Sequence, residues 1–370
     1  MKNSFIALAL FVLFVLNAYS QQPQQPNGNQ PPDMPIDAAT KTQIINDLTK
    51  ELNESYIFAD AAKSMETAVK QKLQSKVYDG ITSSREFAAR LTEDLQAVSK
   101  DKHLRVRFSY EKIPARQERR EPSKEEIENS QRFARQINFG FEKIERLQGN
   151  IGYIDLRGFS DPEGGAETVA AAMSFLQHAD ALIFDLRQNG GGSPEMVALI
   201  SSYIFGEKPV HLNSLYWRKG NRTDEFWTKA TVAGKRFGET KDVFVLTSNY
   251  TFSAGEEFTY NLKNLKRATI IGETTGGGAH PGGMFRINDH FGAFVPTGRA
   301  INPISKTNWE GTGVEPDVKV SKELALKTAY AMALNKVADK TADEQRKKSL
   351  KELAGRTQKE IEEMKKTAKN

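Results

Sequence analysis

The chain has 370 residues, 38% of them hydrophobic and 27% charged, which is the balance of a folded globular chain rather than a disordered or fibrous one. Its net charge of +5 is matched by the last fifty residues, Ser321 to Asn370, with 13 basic and 8 acidic side chains, so the body is neutral and lacks the basic face of a nucleic-acid binder. Cysteine is absent, which excludes disulfides, thiolate nucleophiles and cysteine-ligated metals, and any nucleophile must be Ser, Thr, Lys or a carboxylate.

Residues 1–20 read as a secretory signal peptide: Lys2, an apolar run from Phe5 to Leu16, then Ala18-Tyr19-Ser20. About 12 apolar residues fall short of the roughly 20 that span a bilayer, and no cysteine follows to take a lipid. The sequence therefore predicts an exported protein, periplasmic or secreted, without a stable membrane anchor. Residues 21–35 (QQPQQPNGNQPPDMP) have no apolar periodicity and read as a tether.

From Ile36 to about residue 110 the period is helical: Ile44, Ile45, Leu48 and Leu52, then Ala61, Met65, Val69 and Leu73. A third segment opens at Ser83, with Glu86 placed for a capping box, and runs through Phe87, Leu91 and Leu95. This predicts a small N-terminal three-helix bundle. Residues 111–135 are heavily charged and read as an exposed connection. Between residues 136 and 320 strand and helix patterns alternate: strands at Ile151–Leu156, Ala181–Leu186, Lys241–Leu246 and Thr269–Ile271, helices at Ala166–Leu176, Glu195–Phe205 and Ala254–Leu265. Alternation of this kind predicts an α/β layer domain with a largely parallel sheet. Residues 321–370 form a helix pattern ending in a basic tail.

Four segments can carry chemistry. In DLRQNGGG (residues 185–192) three glycines follow an apolar strand, so backbone amides can point unhindered at an anion, or simply form a tight turn. In TSNYTFSAGEEF (residues 247–258), Ser253 opens a helix, where it is either a nucleophile in the helix-end field or an ordinary cap paired with Glu256. His103, in SKDKHLRVRF, is one of five histidines, none in metal-binding spacing, and position does not select it as a base. GETTGGGAHPGG (residues 272–283) and NWEGTGVEPDVKV (residues 308–320) read as loops at the sheet end, and Glu310 in the second could orient a base.

The ordered set DKHL, GNIGYIDLRGF, DLRQNGGG, FSAGEEF, GETTGGGAHPGG and EGTGVEPDV resembles the tail-specific serine peptidases, a family that includes carboxy-terminal processing proteases and the tricorn protease core, and within it the branch with repeats of interphotoreceptor retinoid-binding protein. The resemblance spans about Ile36 to Val320 and implies a crotonase-like α/β catalytic domain with its nucleophile at Ser253. Processing proteases place a lysine where this chain has Gly278, and Lys263 and Lys266 lie about 15–20 Å along the helix from Ser253, too far to replace it. The tricorn-like arrangement matches instead at His103, Ser253 and Glu310, with oxyanion donors expected from the amide of Ala254 and from the glycine loop, Gly190 and Gly191. About 35 residues between the helical segment and the GNIGY strand are too few for a substrate-recognising PDZ module of about 90. The resemblance implies an exported serine endopeptidase acting on peptides or proteins, with no metal or cofactor. The alternative is an inactive binder of apolar molecules such as retinoids or fatty acids on the same fold.

Overall fold

The computed structural model describes residues 32–114 and 123–367. The expected signal peptide, most of the tether and the final residues 368–370 lie outside these.

Three helices open the described chain: α1 (Ala38–Ser55), α2 (Ala59–Gln74) and α3 (Ser84–Ser99). Asp37 accepts the amide of Thr40 at 2.7 Å to cap the first, and Ser83 accepts that of Glu86 at 3.0 Å to cap the third. Their apolar stripes meet in a core built on Ile44, Leu48, Met65 and Phe87. That core does not close on itself as a bundle. It continues onto a three-stranded antiparallel sheet in the order β1-β10-β9, formed by β1 (Arg105–Phe108), β9 (Gly282–Arg286) and β10 (Phe291–Pro296). Phe291, Ala293 and Val295 complete it from nearly two hundred residues downstream.

The charged stretch expected to be an exposed connection contains a helix, α4 (Lys124–Gln136), opened by a full capping box of Ser123 and Glu126. None of its residues is buried, so it is exposed as expected but ordered by local capping rather than by packing.

The main sheet has six strands in the order β12-β8-β7-β4-β3-β2. Its centre is parallel: β3 (Ile151–Leu156), β4 (Ala181–Asp185), β7 (Asp242–Thr247) and β8 (Thr269–Gly272). These strands are apolar nearly throughout because both faces are covered. On one face lie α5 (Pro162–Leu176), α6 (Pro194–Ile204) and α7 (Ala254–Asn264). On the other lie α8 (Lys322–Lys340) and α9 (Glu344–Thr367), an antiparallel pair whose Ala329, Ala333, Leu334 and Leu350 pack on Ile183, Phe244 and Leu246. The region read from sequence as one helix and a basic tail is thus two helices, and it supplies a whole layer of the fold. The edges are β2 (Phe141–Leu147), antiparallel to β3, and β12 (Val318–Lys319), parallel to β8. A second small sheet, in the order β11-β5-β6, joins β5 (His211–Trp217), β6 (Arg222–Trp227) and β11 (Gly298–Ile301). No described helix is long and apolar enough to cross a membrane.

The shared core predicts how the N-terminal helices unfold. Phe291 is 2% exposed and meets Phe87 edge-on at 6.3 Å between ring centres. Phe291→Ala is expected to cost about 3–5 kcal/mol, and helix loss should coincide with loss of the sheet in one denaturant transition. Two separated transitions in the native chain would show that the helices fold alone.

Candidate active site

Parallel strands deliver their following loops to one end of the sheet, and two of these loops meet here. The one after β7 runs Ser248 to Ser253, and the one after β4 runs Leu186 to Gly192. Phe252 donates its amide to the carbonyl of Asn189 at 3.0 Å, which staples the loops together. Gly191 fits against the serine turn so closely that a Cβ there would stand 2.8 Å from Ser253 Cβ, and its φ of +108° is one that side-chain-bearing residues rarely adopt.

Ser253 is not an ordinary helix cap. Its φ and ψ are 52° and −119°, whereas the caps of α1, α3 and α6 are extended. A non-glycine residue held at positive φ is strained. The strain is held in place by Glu256. Its Oε2 accepts the amides of Ser253 at 3.0 Å and Gly278 at 2.8 Å, and its Oε1 accepts the amide of Gly277 at 2.6 Å and the Thr275 hydroxyl at 2.5 Å. Burial pushes the Glu256 carboxyl up to about 7 against the pull of these donors. The reciprocal half of a capping box was therefore legible as Ser253-x-x-Glu256, but its wider use, tying the serine to the loop after β8, was not.

Of the amides expected to hold an oxyanion, those of Gly190 and Gly191 are committed elsewhere. Gly190 donates to the Arg157 carbonyl at 3.4 Å and Gly191 to Asn189 Oδ1 at 2.9 Å. Gly192 and Ala254 both line the cavity beside Ser253.

The His103 ring packs tilted against that of Phe252, the neighbour of Ser253, with centres 4.6 Å apart and planes at 43°, and lies 5.8 Å from the ring of Phe294. Burial pushes its pKa down to about 4. Its main-chain amide donates to Asp101 Oδ1 at 3.0 Å, while its Nδ1 is buried without a partner. The ring also explains Gly278: a Cβ there would overlap Phe252 and stand 2.6 Å from His103 Cε1. A lysine at position 278 has no room.

Glu310 is not joined to His103. Its Oε2 accepts the amide of Ala279 at 2.5 Å and lies 3.5 Å from Nδ1 of His280, and its Oε1 is buried without a partner. His280 Nδ1 stands 2.8 Å from Asp101 Oδ2, which also accepts the Tyr56 hydroxyl at 3.1 Å. Burial, then the nearby Asp101 charge, hold the Glu310 carboxyl well above the usual carboxylate range. Asp101, His280 and Glu310 are the one described group of His and acidic ligand atoms close enough, within 4.8 Å, to hold a metal ion, and here they hydrogen-bond one another. Sequence reading missed Asp101 and His280. The signal, an Asp two residues before His103 and a His in the GGGAHPGG loop, has no fixed spacing that would pair them.

A strained serine at a helix start, a glycine loop pressed against it and a histidine packed on the next residue, on a layered α/β sheet, fit the class of serine hydrolases. Residues 150–320 match peptidase family S41 and residues 38–144 match the N-terminal domain of S41 peptidases found in the eukaryotic retinoid-binding branch. The chain belongs to peptidase family S41. It is 30% identical over 173 residues to carboxyl-terminal-processing peptidase 2, chloroplastic, of Arabidopsis thaliana, covering 46% of this chain and 32% of that one. It is 36% identical over 102 residues to the tail-specific protease of Haemophilus influenzae, covering 27% and 14%. The chain thus spans about a third or less of the length of these relatives. Among solved structures, a protein of Parabacteroides merdae assigned as a peptidase superposes with a TM-score of 0.57 at 18% identity, covering 80% of this chain and 97% of that one.

Glu256→Ala would leave three main-chain amides and a threonine hydroxyl buried around a void. At about 1–3 kcal/mol for each unsatisfied group, the expected loss is at least about 3 kcal/mol in denaturant unfolding. Fluorophosphonate labelling at Ser253 should fall with it. A variant as stable as the native chain would show that Glu256 does not hold the turn.

Proposed function

We propose that the chain is an exported serine endopeptidase of the crotonase-like α/β class, acting on peptide or protein substrates. Ser253 Oγ attacks the scissile carbonyl. His103 takes its proton and returns it to the leaving amine, and Glu310 stabilises the imidazolium. The amides of Gly192 and Ala254 receive the negative oxygen, since those of Gly190 and Gly191 have other acceptors. The observation that carries the reading is the conformation of Ser253, because a φ of 52° serves no purpose in a simple helix cap. The two buried unpartnered atoms, His103 Nδ1 and Glu310 Oε1, are a donor and an acceptor flanking the same Gly278–Ala279 segment. Their pairing in the working enzyme would complete the triad. The apolar-binder alternative has less support: the cavity at Ser253 holds about 30 Å³, too little for a retinoid.

A specific observation keeps His280 in view as a rival base, namely its 2.8 Å contact with Asp101, the usual way a carboxylate orients a catalytic imidazole. A fluorophosphonate probe should label the native chain and not Ser253→Ala. His103→Ala should lower kcat/KM on a peptide by at least 10²-fold, the typical worth of general acid–base catalysis, with His280→Ala less severe. The reverse order would transfer the base to His280, and labelling of Ser253→Ala would remove the nucleophile assignment.

The pH profile tests Glu310. Only neutral imidazole accepts the serine proton, so kcat/KM rises with pH as His103 and its carboxylate partner deprotonate together. A negative carboxylate raises the imidazole pKa, whereas burial, only partly opposed by the Asp101 charge, holds His103 at about 4. Glu310→Gln should therefore lower the plateau and move the rising limb to lower pH. A limb that stays in place would separate Glu310 from the base.

A further inference from the structure

Asp101, on the loop after α3, has no exposed surface, and Glu310, on the loop before β12, has 13% of its side chain exposed. A carboxylate oxygen of each lies within 4.8 Å of the other. At that distance two buried negative charges repel strongly, because little water screens them. Between them stands His280, from the loop before β9. Its Nδ1 is 2.8 Å from Asp101 Oδ2 and 3.5 Å from Glu310 Oε2, so both carboxyls address one nitrogen. Phe58 packs edge-on against the ring with centres 5.3 Å apart, and His280 is 6% exposed. A positive ring at this place lets both carboxylates keep their charge, and a neutral one serves only the nearer. The permanent cations nearby are turned elsewhere: Lys102 Nζ to the carbonyl of Gly276, and Arg105 Nε to that of Lys102. Tyr56, from the end of α1, gives its hydroxyl to Asp101 at 3.1 Å, and burial, then the Asp101 charge, holds that hydroxyl protonated.

We propose that His280 is a positioning residue that acts through Glu310: as a cation between the two carboxylates it favours the ionised form of Glu310, the form that stabilises the imidazolium of His103. The inference rests on the reading of Glu310 as the partner of His103. In this role His280 exchanges no proton with the substrate. The signs follow from the charges that face each group. Burial pushes the Glu310 carboxyl up and Asp101 adds to it, while His280 opposes both. Burial pushes His103 down, Asp101 opposes it, and His280 and Arg105 add to it. Both members of the catalytic pair therefore move the same way when one neighbour is changed. Removing the His280 charge raises the pH at which the His103–Glu310 pair becomes free of protons, and removing the Asp101 charge lowers it.

The test is the pH profile of kcat/KM on one peptide, recorded in EDTA so that no metal ion bridges the cluster. His280→Asn keeps a donor near the place of Nδ1 but takes no charge. It should move the rising limb up by at least about 0.5 pH unit, the effect of a unit charge a few ångströms away even in bulk water. Above that limb, activity should return to within about tenfold of native. Asp101→Asn should move the limb down, again by at least about 0.5 pH unit. A limb that stays in place in either variant overturns the proposal, as do two limbs that move in the same direction, since lost packing lowers the plateau without opposite shifts. A loss of about 10²-fold or more at every pH in His280→Asn also overturns it, by making His280 the base. If one variant does not fold, the direction of the other decides. Glu310→Gln separates the failures: a limb that moves with that change but not with His280→Asn removes this inference alone, and a limb that ignores Glu310→Gln removes the reading beneath it.

Discussion

The buried carboxylate of Glu256 is the constraint on which the rest of the site depends. It gathers the amide of Ser253 and three donors from the loop after β8, and so fixes two chain segments that share no secondary structure. Without it the positive-φ turn at Ser253 would lose the hydrogen bond of its own amide, since the α7 ladder reaches only its carbonyl. The same clamp sets where Gly278 lies, and Gly278 in turn borders His103. Ser253, Gly278 and the cavity wall are therefore positioned by one buried carboxyl with four donors. A buried acidic group of this kind persists only when its lone pairs are used.

Around this centre the structure tolerates several unsatisfied groups. His103 Nδ1, Glu310 Oε1 and the atoms near Glu257 are all buried without partners, and all lie at or beside the cleft. Elsewhere among the described residues the polar interior is paired apart from Ser201 Oγ: Asp94 receives Lys72, Tyr78 and Arg90, and Lys41 donates to the carbonyl of Tyr78 at 2.8 Å. The contrast is physical. A structural polar group gains nothing by remaining open, whereas a group that must exchange a proton or receive a substrate atom cannot be closed by the protein itself.

The parallel core was legible in sequence because its signal is local. Ile151–Leu156 and Ala181–Asp185 are apolar runs of strand length bounded by turn residues, and the helix starts at Ser193-Pro194 and Ser83 carry their own caps. What stayed hidden depends on residues far apart in the chain. Nothing near Phe87 announces that Phe291 will face it, and nothing near Asp101 announces His280, 179 residues away. The glycine loop shows the finer limit. Three consecutive glycines read equally as an anion-binding loop or a plain tight turn, and which amide remains open is decided by where Asn189 Oδ1 and the Arg157 carbonyl come to lie. The last fifty residues misled for another reason: lysine and glutamate on the outer faces of α8 and α9 dominate the composition, while the alanines and leucines that cover the sheet are spaced to one side.

The packing around Gly278 bears on the proposed histidine base. The place where the processing-protease pattern carries lysine is filled from both sides, by the ring of Phe252 and by the ring of His103. A side chain at 278 would push against both rings, so with His103 and Phe252 as they stand the position favours glycine. Packing and burial act on the same ring: the contact with Phe252 places His103, and burial, opposed by the nearby Asp101 charge, then holds its pKa low.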